Sequence, residues 1–211
     1  MSIKKEVTAQ ARKAKEASRE LGSISTKVKD EALMKIADKL EESTDEILAI
    51  NEKDMQSGKE NGLSSALLDR LQLTEARIKK MANGLRDIVK LEDPIGEVTK
   101  MWKRPNDLHI GQIRVPLGVI GIIYEARPNV TIDVAGLCLK AGNAVILRGG
   151  SNAFNSNQIL TEIVTRSLKE VGLPEASVQL IQTTDREAVE VIFGLNQYLD
   201  VLIPRGGPGL I

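Results

Sequence analysis

Two short turns carry the clearest chemistry in this sequence. "RGGSN" (148–152) and "PRGGPGL" (204–210) each set an arginine beside two glycines at the end of an apolar run. Glycine lets the backbone approach a ligand closely, and free N–H groups at a helix start favour an anion. Arginine adds a permanent charge and a planar fork that matches phosphate oxygens. Arg148, Gly149, Gly150 and Ser151 in the first turn, with Arg205, Gly206 and Gly207 in the second, therefore read as contacts for a phosphate-bearing ligand. The competing reading is a pair of ordinary tight turns. Two further stretches, "YEARPNV" (124–130) and "TTDRE" (183–187), stand in equivalent places after apolar runs.

Other chemistries lack their residues. Neither G-x-G-x-x-G nor G-x-x-x-x-G-K-[ST] is present, which disfavours a standard dinucleotide fingerprint or P-loop. One histidine and one cysteine cannot furnish the usual N/S ligand sets of a metal site. Cys138 lies in the middle of "VAGLCLKAG", among apolar neighbours, whereas a reactive thiolate wants a helix start, a cation and exposure. It reads as buried and structural. His109 falls in an extended segment and receives no role.

The elements that must position these turns follow from periodicity. The first ninety residues are written in helical period, with Ile3, Val7, Ala11, Ala14, Ala17 and Leu21 on one stripe and Gly22 as a stop. A second helix is expected from Ser25 or Thr26. "STDEI" carries a capping-box signal, Ser43 with Glu46, for a third helix to about Met55. "SGKENGLSS" reads as a turn, and Thr74 as the cap of a helix through Val89. From Pro94 two extended segments flank the turn "RPND", which predicts a hairpin.

After Pro116 apolar strands alternate with helices: "GVIGIIY", "NAVILR", "VQLIQ" and "YLDVLIP" around helical stretches. Continuous apolar strands with helical crossovers predict a parallel sheet covered on both faces. Ligands then sit beyond the carboxyl ends of its strands. All four stretches named above occupy such ends. The predicted fold class is α/β: N-terminal helices over 1–93, a β-hairpin over 94–116, and a parallel-sheet domain over 117–211.

Composition narrows the class of partner. Lys+Arg and Asp+Glu are equal at 29 each, and aromatics are 2% of 211 residues. Nucleic acid is therefore favoured neither by bulk charge nor by stacking platforms. A single cysteine fits a reducing compartment. With no bilayer-length apolar run and no signal-type start, a cytoplasmic protein without a membrane partner is the expectation.

"VPLGVIGIIYEARPNVTIDVAGLCLKAGNAVILRGGSN", with the later "DVLIPRGGPGLI", closely resembles the gamma-glutamyl phosphate reductase branch of the aldehyde dehydrogenase superfamily. "GLSSALLDRL", "LEDPIGEV" and "RVPLGVIG" are similar as well, so the resemblance covers essentially the whole chain. It implies a hairpin of oligomerisation type over 94–116, an incomplete Rossmann-like NADP-binding domain of aldehyde dehydrogenase type over 117–211, and NADPH-dependent reduction of L-glutamyl 5-phosphate to glutamate 5-semialdehyde through a cysteine thioester. The substrate would be a small acyl phosphate supplied by a glutamate kinase, and the full-length enzyme a homo-oligomer. Asn129 looks like the residue that helps hold the oxyanion. Arg148 stands where relatives carry a cofactor-binding lysine. Ser151 stands where many NAD-using relatives carry a glutamate, so no acid repels a 2′-phosphate there, and NADP is the implied cofactor. Gly206 and Gly207 would face the pyrophosphate, while Glu125 and Arg127 are substrate-binding candidates. The family's nucleophilic cysteine belongs to a second domain, so the chain is expected to be a fragment that is inactive alone. A non-catalytic nucleotide-binding or association module on the same fold is the alternative.

Overall fold

The architecture, taken from a computed structural model that describes residues 2–125 and 127–206, opens on helices. These are α1 (Ile3–Leu21), α2 (Thr26–Glu42), α3 (Thr44–Glu60), α4 (Ser65–Leu71) and α5 (Glu75–Val89). The apolar stripe of α1 is buried as its spacing dictates, with Val7, Ala11, Ala14, Ala17 and Leu21 all inside. Thr74 caps α5 by accepting from the Arg77 amide at 3.2 Å.

Two N-terminal expectations are corrected. Ser43 makes no side-chain cap for α3, because the same residue closes α2 and sits at φ −96, ψ 15. That backbone is not the extended conformation from which a cap side chain reaches forward. The segment expected to be a turn around residues 57–65 is instead the last turn of α3, a four-residue break over 61–64 and the start of α4. Ser64 caps α4 by accepting from the Leu67 amide. A helix of seven residues offers little periodicity to read, and its flanking Asn61-Gly62 outweighs it as a turn signal.

Strands β1 (Val98–Lys103) and β2 (His109–Ile113) form the expected antiparallel hairpin. Asp107 in its turn takes the left-handed conformation, φ 65. His109 is exposed. Strands β3 (Val119–Tyr124), β4 (Ala144–Arg148), β5 (Val178–Leu180) and β6 (Val201–Arg205) then build a parallel sheet in the order β5-β4-β3-β6. Every residue of β3 and β4 is buried, which their uninterrupted apolar runs require.

The connections follow from that order. Helices α6 (Asn129–Lys140) and α7 (Phe154–Glu170) carry the chain from β3 to β4 to β5, always in one direction. Helix α8 (Glu187–Phe193) returns it across the sheet to β6. Right-handed crossovers put α6 and α7 on one face and α8, with α1 beside it, on the other. Helices α2, α3 and α5 pack as an outer layer over α6 and α7. Direction reverses between β3 and β6, so the crevice past the ends of those two strands is the switch point where ligands bind in open α/β sheets.

Gly118, which enters β3, adopts φ +120, and any Cβ there would collide with the Asp200 carboxylate. That carboxylate accepts from the Val119 amide at 2.8 Å and pairs with Lys15, fixing the start of β3 against β6. A second clasp lies at the outer layer, where Lys29 pairs with Asp93 at 2.7 Å and Lys140 with Asp30 at 2.6 Å.

Candidate functional site

Two clefts open at the carboxyl edge of the sheet. One of about 640 Å³ lies over the strand ends and is lined by Glu125, Arg127, Gly150, Ser151, Arg205 and Gly206, with Asn152 and α4 residues Leu67 and Arg70. Six of the sequence-predicted site residues thus share one wall. The other, of about 550 Å³, lies between α4, α5 and the start of α6. Its walls include Arg70, Lys80, Arg127, Asn129 and Asp133. Arg70 and Arg127 line both clefts, so the two meet at those guanidinium groups. Gly207 lies outside the described residues.

Arg148 stands at the end of β4 and bonds to neighbouring carbonyls. Its side chain is buried and donates from Nη1 to the Gly149 carbonyl at 2.8 Å and from Nη2 to the Thr184 carbonyl at 2.8 Å. It thereby fastens the "TTDRE" loop to the strand edge. Its Nε has no partner among the described residues. Burial, followed by repulsion from Arg186, lowers its pKa, with Asp185 opposing. Any contact with a ligand would compete with these carbonyls.

Gly149 is required for packing. A Cβ there would collide with Nδ2 of Asn157 and stand 3.2 Å from the Tyr124 ring. Asn157 is 1% exposed. It accepts from Thr131 at 2.9 Å, and Thr131 shares a 2.6 Å hydrogen bond with the Tyr124 hydroxyl. The network locks the β3–α6 loop to the glycine turn. Burial holds the Tyr124 hydroxyl neutral by raising its pKa, with Thr131 opposing.

The start of α7 is built from two pieces. Residues 151–153 form a single 3-10 turn, and the α-helix begins at Phe154 without a local side-chain cap. Its cap comes from α3. Asp54, 3% exposed, accepts from the Ser156 amide at 2.7 Å and hydroxyl at 2.6 Å, and from the Asn155 side chain at 2.7 Å and amide at 3.3 Å. Asn51 ties the same place to the α4–α5 link through Leu71, Leu73 and Ser156. A buried carboxylate therefore already occupies the amides at which an incoming anion would be expected.

Asn129 begins α6 and donates from Nδ2 to Asp133 at 3.0 Å. The second N–H of that amide is left for an oxygen in the cleft. Surrounding protein raises the Asp133 pKa, against the Asn129 amide and the charges of Arg205 and Lys80. Asp133 stands one helical turn after Asn129, a spacing legible in the sequence; Arg70 was hidden on the unforeseen helix. Cys138 is 6% exposed and makes no ion pair, and burial pushes its thiol up to about 12. Among the described residues no cluster of three His, Cys, Asp or Glu could hold a metal.

A parallel sheet with two clefts at its carboxyl edge and arginines around them is the architecture of an open α/β fold. The chain belongs to the aldehyde dehydrogenase family, whose model matches residues 2–198. Membership implies a nicotinamide cofactor. The chain is 66% identical to the gamma-glutamyl phosphate reductase of Halothermothrix orenii, and 61% identical to that of Moorella thermoacetica, over all 211 residues. It spans about half the length of these curated relatives. The crystal structure of gamma-glutamyl phosphate reductase from Thermotoga maritima superposes with TM-score 0.95 at 44% identity, over 97% of this chain and 49% of that one. The Saccharomyces cerevisiae structure of that name gives 0.88 at 33%, over 100% and 53%.

Proposed function

We propose that the protein carrying this chain reduces L-glutamyl 5-phosphate to glutamate 5-semialdehyde and phosphate, using NADPH, as an oxidoreductase of proline biosynthesis. The observation that carries this reading is the 66% identity to a gamma-glutamyl phosphate reductase along the whole chain. The charge of the clefts agrees with it. Among the described residues Arg70 and Arg127 have neither an ion pair nor a side-chain hydrogen bond, and both line the two clefts, where their charge suits an acyl phosphate.

When bound, the cofactor supplies hydride. The chain's own residues bind and orient. The cleft of Gly150, Ser151, Arg205 and Gly206 fits a phosphate-bearing cofactor, and Ser151 places no acid against a 2′-phosphate. Asn129 would donate its spare amide N–H to the developing oxyanion, a contribution of about 3 kcal/mol where such donors are removed. Arg148 would act on the cofactor cleft by holding the Thr184 loop. Cys138 cannot serve as nucleophile, since a thiol buried at about 12 is neutral at working pH. The thiolate must come from elsewhere in the full-length enzyme, and this chain alone is inactive. We place that enzyme in the cytoplasm, downstream of a glutamate kinase. The hairpin, whose Val98, Met101, Trp102 and Ile113 are exposed, would serve in a homo-oligomer.

The test is phosphate-dependent reduction of NADP+ with glutamate 5-semialdehyde. Full-length protein should show it and residues 1–211 should not. A full-length protein without phosphate dependence refutes the proposal.

A further inference from the structure

The cleft between α4, α5 and α6 holds two carboxylates with different duties. Asp69 is paired with Arg77 at 2.7 Å. Asp133 accepts only the Asn129 amide and has no ion pair among the described residues. Lys80, one cleft wall away on α5, likewise has no hydrogen bond or ion pair among them, yet its charge acts on Asp133. A carboxylate and an ammonium, neither in an ion pair among the described residues, therefore line one space of about 550 Å³. A group carrying both charges on neighbouring atoms satisfies both at once, and an α-amino acid end is such a group. Arg70 and Arg127 line both clefts, whereas Asp133 and Lys80 line only this one, with the charge of Arg205 also reaching Asp133, which leaves Asp133 and Lys80 for the amino-acid end of a bound molecule.

Resting on the proposed function, we infer that Asp133 and Lys80 select the amino-acid end of the substrate, Asp133 taking its α-ammonium and Lys80 its α-carboxylate. The acyl phosphate then lies toward Arg70 and Arg127, beside Asn129. Asp133 also holds Asn129, and that second duty would weaken turnover of every substrate equally. Selection differs, because it depends on which charge the substrate carries.

The experiment compares three aldehydes on the full-length enzyme in the phosphate-dependent oxidative direction: glutamate 5-semialdehyde, 5-oxopentanoate lacking the amine, and 4-aminobutanal lacking the carboxylate. The wild type should prefer the first over each truncated aldehyde by about tenfold or more in kcat/KM, the worth of one charge-assisted contact. Asp133→Asn should raise KM for glutamate semialdehyde about tenfold more than KM for 5-oxopentanoate, while kcat changes by one factor for both. Asp133→Glu should recover part of the lost selection. Lys80→Gln should reduce selection against 4-aminobutanal alone. Equal losses on all three aldehydes, or a wild type indifferent to the missing amine, would overturn the assignment while leaving the proposed reaction standing. Absence of phosphate-dependent turnover in the wild type would remove both.

Discussion

Replacing Asp54 by alanine should destabilise the fold more than any surface change, because one carboxylate serves as the cap of a helix a hundred residues away. Asp54 accepts four hydrogen bonds, from the amide and side chain of Asn155 and the amide and hydroxyl of Ser156. Ala153, the local N-cap position, has no side chain to take them over. Loss of a helix N-cap costs about 1–2 kcal/mol. Ser156 is 0% exposed, so its donors would not be met by water. A buried donor left unmet adds about 1–3 kcal/mol. The expected total is about 3 kcal/mol, a fall of roughly 6–12 °C in melting temperature for a chain of this size. Asp54→Asn keeps one acceptor oxygen and should cost about half as much. Urea unfolding followed by circular dichroism, with wild type and both variants at one pH, gives the numbers. A loss below about 1 kcal/mol for Asp54→Ala would show that the α7 terminus is satisfied by other means, and the argument from a closed helix end would fall.

Arg148→Met should free the loop it fastens: amide hydrogen exchange over residues 183–188 should speed up by about tenfold or more, the worth of a charge-assisted bond, and unchanged protection would refute the clamp. Cys138 should resist iodoacetamide in the native protein at about pH 8 and react in urea, since its thiol is buried and pushed up to about 12; prompt native labelling refutes this. Asp200 supplies a pH test. Burial raises its carboxyl, but the Lys15 contact and the Val119 amide hold it below its ordinary value. Its stabilisation is therefore present above the unfolded carboxyl range of about 4 and is lost as pH falls through the folded value. Asp200→Asn should flatten the acid limb of stability below about pH 4, and parallel limbs for variant and wild type would contradict it.

What the sequence disclosed was whatever a local pattern encodes. The stripe of α1, the Thr74 cap and the apolar runs of β3 and β4 each state their environment within a few residues. The strand-end rule then found the loops that line the strand-end cleft without any knowledge of tertiary contact. Failures came where two elements share a residue or where a partner is remote. Ser43 could not cap α3 while closing α2. The cap of α7 was invisible because Asp54 sits in the middle of another helix, where it reads as one more solvated acid. Helix α4 was lost among turn residues, and Arg70 with it. Gly149 was legible as a glycine that matters but for a different reason, since its neighbour Asn157 comes from α7.

These remote contacts change how anion recognition at this edge must work. A helix start and a strand-end arginine would ordinarily share the task. Here Asp54 occupies amides at the start of α7, and Arg148 is drawn into the Thr184 loop. The amides of Asn155 and Ser156 and the Arg148 side chain are thus committed to the scaffold. Under the proposed function, recognition would pass to side chains on the cleft walls, Arg70, Arg127 and Arg205, which come from α4, the β3–α6 loop and β6. Side-chain cations on separate elements would grip a ligand without requiring a change of backbone. Binding of phosphate-bearing molecules should then weaken with ionic strength more steeply than a helix-dipole site would require. The same division explains why the buried polar network of Tyr124, Thr131 and Asn157 lies directly beneath the glycine turn. With the grip supplied by long flexible arms, the backbone they reach across has to be rigid.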